Sequence, residues 1–351
     1  MSAVPLTRAM LVEAPDDLDE LIEFFHARRW SDGLPVVPPT RERVERMLSG
    51  TTRKPDEIVA TLAPGFGAAT VERIAINAVM AGCRADVLPL LIAATQAVSA
   101  PEFNLQGIQA TTNPVAVWLL INGPIAEQLG VNGGMNCLGQ GTVANATLGR
   151  ALRLILQNVG GAVPGDMDRA THGQPGKFSF CCAENEAQSP WESLAIERGF
   201  TREQNTVTVI GAAGTHNMNT HAKDADDLIR VIADTMAFPT SNDYWISGEP
   251  WLVIGPEHAE VLHAGGLSKA DVKQRLWEAS KMRAARMAKM DLMRTQTART
   301  GELGAITEKS LLRPSDTPEG IGIVVAGGPG THSVYVPSFG ETRAVTREVL
   351  A

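Results

Sequence analysis

The sequence predicts an α/β protein of two lobes with largely parallel sheets, preceded by a helical N-terminal segment. Three observations carry that expectation. Short runs rich in β-branched residues alternate with amphipathic stretches over most of the chain. Glycines collect at the ends of those runs, where strand-to-helix turns need them. Two different signatures recur in the same order, which predicts a pseudo-twofold internal duplication. A chain of 351 residues is long enough for more than one core. The boundaries read as 1–100 for the helical region, 101–240 for the first α/β lobe and 241–351 for the second.

In order along the chain, residues 16–29 place Leu18, Leu21, Ile22 and Phe25 on one helical face behind an acidic first turn. The stretch Trp30-Ser31-Asp32-Gly33-Leu34-Pro35-Val36-Val37-Pro38-Pro39 reads as an extended loop, and Thr40 caps a short helix. Val71 to Val98 has helical apolar density broken near Gly82 and Pro89, so two buried helices are expected. Pro114–Ile121 is a buried strand, Ile125–Leu129 a short helix and Thr142–Val159 a longer helix stopped by Gly160 and Gly161. Then come a strand at Asn205–Ile210, a helix at Asp224–Met236, a strand at Trp251–Ile254 and a helix at Glu257–His263. Ser268 and Asp271 form a capping signal for a helix running to about Arg294. Ile321–Val325 is the last buried strand.

Composition excludes several classes. Hydrophobic residues make up 44% and charged residues 20%, so wholesale disorder is ruled out. A net charge of −8 argues against a nucleic-acid partner. No apolar run is long enough to span a bilayer, and residues 1–17 lack the uninterrupted apolar region of a secretory signal. Four cysteines are too few for a disulfide framework, so a cytoplasmic protein with reduced thiols is expected.

The first repeated signature is strand–Gly-Pro–helix, from Trp118 to Glu127 and again from Trp251 to Glu260. The second is strand–Gly-x-x-Gly-Thr-His, ending at His216 and again at His332. Glycine turns of this kind orient backbone N–H groups towards an anion. Thr and His add a hydroxyl and a titratable group at the same spot. This predicts that Gly214, Thr215, Gly330 and Thr331 bind a small carboxylated metabolite across an interlobe cleft, with His216 and His332 as acid–base groups. The same glycines also serve as plain tight turns.

The segment Lys177 to Glu186 contains two adjacent thiols, Cys181 and Cys182, then Glu184 and Glu186. Strand parity sends the two cysteines to opposite faces, so one is expected in the core and Cys182 is expected to be presented as a nucleophile. Glu184 is a candidate acid or base. A divalent metal is a candidate cofactor, with His216, His221 and His332 as ligands, although no metal-binding spacing appears locally. Gly139 to Ala144 matches a dinucleotide-binding pattern but lacks the preceding strand and the later acid, so NAD is disfavoured and an anion-binding helix start is preferred. Asn136 and Asn145 flank it as candidate substrate-orienting residues. The predicted helix after Ser268 carries Met282, Met287, Met290 and Met293 beside a basic stripe. With the Trp30–Pro39 loop, it is a candidate surface for a second copy or a partner subunit.

Several phrases carry a resemblance. Trp30 to Pro39, Asn77 to Cys83, Ala144 to Ala151, and Ala183 to Glu186 before Ser189-Pro190-Trp191 together resemble the UGSC-type (seleno)protein group. The resemblance covers most of the chain, but the Sec/Cys-Gly-Ser-Cys motif of that group is absent, so no catalytic residue is carried over. The residues favour a lyase or hydratase using acid–base chemistry. The alternatives are a thiol-dependent redox or transfer enzyme using Cys181 or Cys182, and a non-catalytic subunit of a complex.

Overall fold

The computed structural model describes residues 11–350, so residues 1–10 of the stretch read for a leader lie outside the described residues. The first part of the chain is helical around one hairpin: α1 (Leu18–Ala27), α2 (Arg41–Leu48), β1 (Ile58–Leu62), β2 (Gly67–Thr70), α3 (Val71–Ala81), α4 (Leu88–Val98) and α5 (Leu105–Gln109). The middle carries β3 (Ala116–Asn122), α6 (Ile125–Leu129), α7 (Val143–Asn158), β4 (Cys181–Ala183), α8 (Leu194–Glu197), β5 (Thr206–Ala212), β6 (His216–Asn219), α9 (Ala225–Met236) and α10 (Asn242–Ile246). The remainder is β7 (Trp251–Ile254), α11 (Pro256–Ala264), α12 (Lys269–Ala279), β8 (Met282–Arg283), α13 (Lys289–Leu303), β9 (Leu311–Leu312), β10 (Gly322–Val325), β11 (His332–Val336) and β12 (Val345–Glu348).

The local signals account for most helix ends. Asp17 accepts hydrogen bonds from the Asp19 and Glu20 amides, and Thr70 does the same for Arg73. Helix α3 stops at Gly82 in the left-handed region, φ +87°. Ser268 and Asp271 close a reciprocal capping box on α12.

Two mixed four-stranded sheets form the centre. The first has the order β12-β5-β3-β4, with β3 and β4 parallel and the other pairs antiparallel. The second has the order β10-β7-β11-β6, again with one parallel pair, β10 and β7. The protein is α/β as expected, but parallel pairing is confined to one pair per sheet. The reason is that β5, β6, β11 and β12 return through short loops or from distant chain, not through crossover helices.

Strand parity sorts the side chains into layers. Leu119, Ile121, Cys181, Val207 and Val209 face α4 and α7 and join the largest core cluster. Leu252, Ile254, Ile323 and Tyr335 face α9, α11 and α12. The inner faces meet: Trp118, Leu120, Cys182 and Ile210 of the first sheet pack on Trp251, Val253, Val324 and Val336 of the second. The result is four layers, helices–sheet–sheet–helices. An apolar layer therefore occupies the space where an interlobe cleft was expected.

The leading tryptophans of the first repeated signature meet in that layer. Trp118 and Trp251 are both fully buried, with ring centroids 6.1 Å apart in an edge-to-face arrangement. They lie on β3 and β7, each the strand that joins its sheet's parallel pair to the antiparallel remainder. The second signature does not repeat in this way. Its first copy connects β5 of the first sheet to β6 of the second, whereas its second copy connects β10 to β11 within the second sheet.

The helix expected from Ser268 to Arg294 breaks at Ser280. Met282 is fully buried in a satellite cluster with Tyr244 and Leu312, and β8 pairs with β9. Burial of that methionine and the strand pairing override helical propensity. The basic stripe and the methionines are thus divided among separate elements: Met282 and Met287 are buried, while Met290 and Met293 are exposed on α13.

Candidate functional site

The residues expected to face each other across a cleft lie instead on one sheet. His216 pairs with Tyr335 and His332 with Asn219 on the adjacent antiparallel strands β6 and β11. Directly opposed residues share a face, and residues three apart do not. His216 therefore lies on the helix-side face with Tyr335, and His332 on the other. His332 Nδ1 is 3.2 Å from Asn217 Oδ1, and His221 Nδ1 is 3.1 Å from Thr331 Oγ1; all three histidines are exposed. Among the described residues, no group of three or more His, Cys, Asp or Glu side chains is arranged to hold a metal ion.

The two glycine turns lie at opposite ends of the paired strands β6 and β11. The Gly330 amide donates to Glu257 Oε1 at 2.7 Å, so its anion is the chain's own carboxylate. Gly214 and Thr215 lie in the loop between β5 and β6, and Thr215 is exposed. Asn145 is buried on α7 and braces a loop: its Oδ1 accepts from the Asn132 amide, and its Nδ2 donates to the Asn132 and Cys137 carbonyls. Asn136 sits at φ +60° with its Nδ2 donating to the Gln140 carbonyl at 2.6 Å. Both asparagines satisfy backbone groups of the loop over 132–141, Asn145 from within the core and Asn136 from the exposed side.

Cys181 and Cys182 face opposite ways, as parity requires, but neither is presented: they are 4% and 0% exposed. Burial pushes the Cys181 thiol up, and a hydrogen bond with Cys137 together with burial pushes Cys182 well up. Glu184 is also buried, and desolvation raises its carboxyl above the usual range. It accepts from Asn122 Nδ2 at 2.6 Å and the Leu194 amide at 2.8 Å, which ties β4 to β3 and to the start of α8.

A different place gathers buried charge. A cavity of about 830 Å³ lies between the Arg29–Gly33 segment, the second half of α7 and the loop over residues 163–178. Its wall is built by α7. Arg150 holds Asp32 with two hydrogen bonds of 2.8 Å, Gln157 Nε2 donates to the Arg29 and Ser31 carbonyls, and Asn158 Nδ2 donates to the Trp30 carbonyl. The Trp30–Pro39 loop, expected as a partner surface, is thus strapped along α7.

Within the cavity, Arg153 and Lys177 converge on Asp168. Lys177 Nζ lies 2.7 Å from Asp168 Oδ2, and Arg153 Nη2 lies 3.7 Å from it. The three side chains are only 11%, 16% and 5% exposed in the order Arg153, Lys177, Asp168. Desolvation presses Lys177 below the ordinary lysine range against the pull of Asp168. Arg29, His26 and His172 complete the basic lining, and Asp32 is already neutralised by Arg150. Two cations sharing one carboxylate leave uncompensated positive charge in a partly enclosed space, which suits an anion.

A second large cavity, about 960 Å³, lies beside α8 and α12. Its Lys269 and Lys273 are paired with Glu197, and Glu186, Glu192, Asp271 and Glu319 line it as well. Its charge balance is acidic, so it does not suit a carboxylate.

Sequence reasoning missed Arg153, Lys177 and Asp168. Arg153 lies mid-helix with no motif around it, and Asp168 lies in an irregular loop. One signal was present: Lys177 immediately precedes the unusual Phe178-Ser179-Phe180-Cys181-Cys182 run, with His172, Gly173 and Gly176 just upstream. No protein-family profile, curated protein or solved structure matches this chain.

Proposed function

We propose that the chain is an enzyme that binds a small carboxylated metabolite in the cationic cavity and carries out acid–base chemistry on it, of the hydro-lyase type. The observation that supports this reading is the sharing of Asp168 by two buried cations, Arg153 and Lys177. Arg153 pairs with the substrate carboxylate and stabilises charge that develops on it when the adjacent carbon loses a proton. Lys177, held below its ordinary pKa by burial, is the base in its neutral form. His172, on the same wall, is the acid that protonates the departing hydroxyl. No step needs a redox cofactor.

The reading includes a cytoplasmic setting, in keeping with the sparse cysteines, and self-association through the exposed Met290 and Met293 on α13. Titration calorimetry with short mono- and dicarboxylates tests the binding step. Arg153→Met and Lys177→Met should each weaken the best ligand about tenfold or more, as expected for loss of a partly buried charge partner. Exchange of the ligand's α-proton into deuterated water should rise with pH and level off earlier than an ordinary lysine would allow, and Lys177→Arg should abolish it. Absence of binding by every carboxylate, or binding untouched by both Met variants, overturns the reading.

A further inference from the structure

We propose that the protein has a second ligand site, an aromatic-walled pocket around Glu72 that takes a small organic amine as its ammonium ion. The pocket holds about 390 Å³, enough for a ring or a short alkyl chain with one amino group. It lies between α1, the start of α2 and one face of α3, and it shares no lining residue with the carboxylate cavity.

Glu72 is what calls for a ligand. It is 3% exposed, and its Oε1 is buried without a hydrogen-bond partner among the described residues. The cations around it are engaged elsewhere. Arg73 donates to the Ala68 carbonyl, and the Arg28 guanidinium stacks on the Phe24 ring at 3.5 Å. Arg41, the one cation in the described lining, is exposed, and Oε1 receives nothing from it. The carboxylate is not needed to cap its own helix either. At the start of α3 the Val71 and Glu72 amides donate to the Glu57 and Pro55 carbonyls, and the Arg73 amide donates to Thr70 Oγ1. The first-turn position favours the ionised form, because the aligned peptide dipoles are positive there. A buried, ionised carboxylate with an unpaired oxygen is costly until a cation joins it.

Helical spacing directs that side chain into the pocket. Glu72, Ile76 and Met80 are four residues apart on one face of α3, and all three line the space. Phe24, Phe25 and Trp30 form another part of the wall, packed edge to face with ring centroids 5.9–6.1 Å apart. Ring faces attract an organic cation, and the apolar wall shelters the rest of the ligand. One carboxylate among aromatic rings offers a metal ion too few oxygens, which leaves an ammonium ion with an apolar body.

Titration calorimetry on the full chain tests this with 2-phenylethylamine and its uncharged counterpart 2-phenylethanol. At pH 7 the wild type should bind the amine at least about tenfold more tightly than the alcohol. Glu72→Gln should abolish that preference and leave both ligands with the weaker affinity. Ile76→Trp, which fills the pocket and keeps the carboxylate, should block both. Arg153→Met and Lys177→Met should leave amine binding unchanged, which separates this site from the carboxylate cavity. No binding of the amine, equal binding of amine and alcohol by the wild type, or an amine preference that survives Glu72→Gln or Ile76→Trp overturns the proposal. The wild-type comparison decides by itself where a variant does not fold.

Discussion

Asp243 shows what one buried carboxyl can do to the pH dependence of this fold. It lies at the start of α10 and is fully buried. It accepts hydrogen bonds from Ser241, from the Tyr335 hydroxyl at 2.9 Å and from the Ser338 hydroxyl and amide. Desolvation outweighs those donors and raises its pKa to about 6 from 3.8. The folded state therefore binds a proton that the unfolded state has already released over this range. Its contribution to stability is complete below about pH 4 and is lost as pH rises through 6. The lost contribution is about 3 kcal/mol at 1.36 kcal/mol per pH unit. Urea unfolding should show the stability of the wild type, relative to Asp243→Asn, falling by about that amount between pH 4 and 7. A difference independent of pH would rule this out.

At the scale of elements, a glycine decides whether the tryptophan layer can form. Gly322 on β10 lies directly opposite Trp251 on β7, and a Cβ there would come within 2.3–2.5 Å of the indole ring. Trp251 is fully buried and packed on Trp118, so it has no free space into which to turn. Gly322→Ala should therefore destabilise by about 2–4 kcal/mol, read as a shift in denaturant midpoint with unchanged slope. The same change at Gly301, where a Cβ meets nothing within 4 Å, should be stabilising or neutral. Elements with strong local signals were legible from sequence. The α3–α4 break at Gly82, the α12 capping box and the strand at β7 fall where apolar period and capping residues put them. Strands β1, β2, β6, β9, β11 and β12 were not legible, because each is short and most carry polar or exposed positions. The expected facing of the two Gly-Thr-His turns across a cleft differs from the structure for a related reason. The Gly-Thr-His turns read as ligand loops only if strand ends face a crevice, and here the facing surfaces are two packed sheets.

At the scale of the whole molecule, the chain crosses between the sheets more than once. Strand β6 and helix α9, in the middle of the sequence, belong with the second sheet, and β12 returns to the edge of the first beside β5. Val345 and Val349 from this last segment are buried in the core cluster of the first sheet. The two sheets should therefore unfold as one cooperative unit, with tryptophan fluorescence and far-UV circular dichroism giving the same midpoint. Removing residues 344–351 should lower both midpoints together. A drop in only one probe would show that the sheets are independent.

The late return of β12 also sets a schedule for biosynthesis. About 130 residues separate the end of β5 from the strand that pairs with its outer edge. At about 5–20 residues per second, a ribosome needs roughly 7–27 s to supply it. Throughout that interval the nascent first sheet presents the open edge of β5, a seven-residue strand with every side chain buried in the finished protein. Capture of ribosome-bound chains by holdase chaperones should therefore peak while β12 is still untranslated and fall once it emerges.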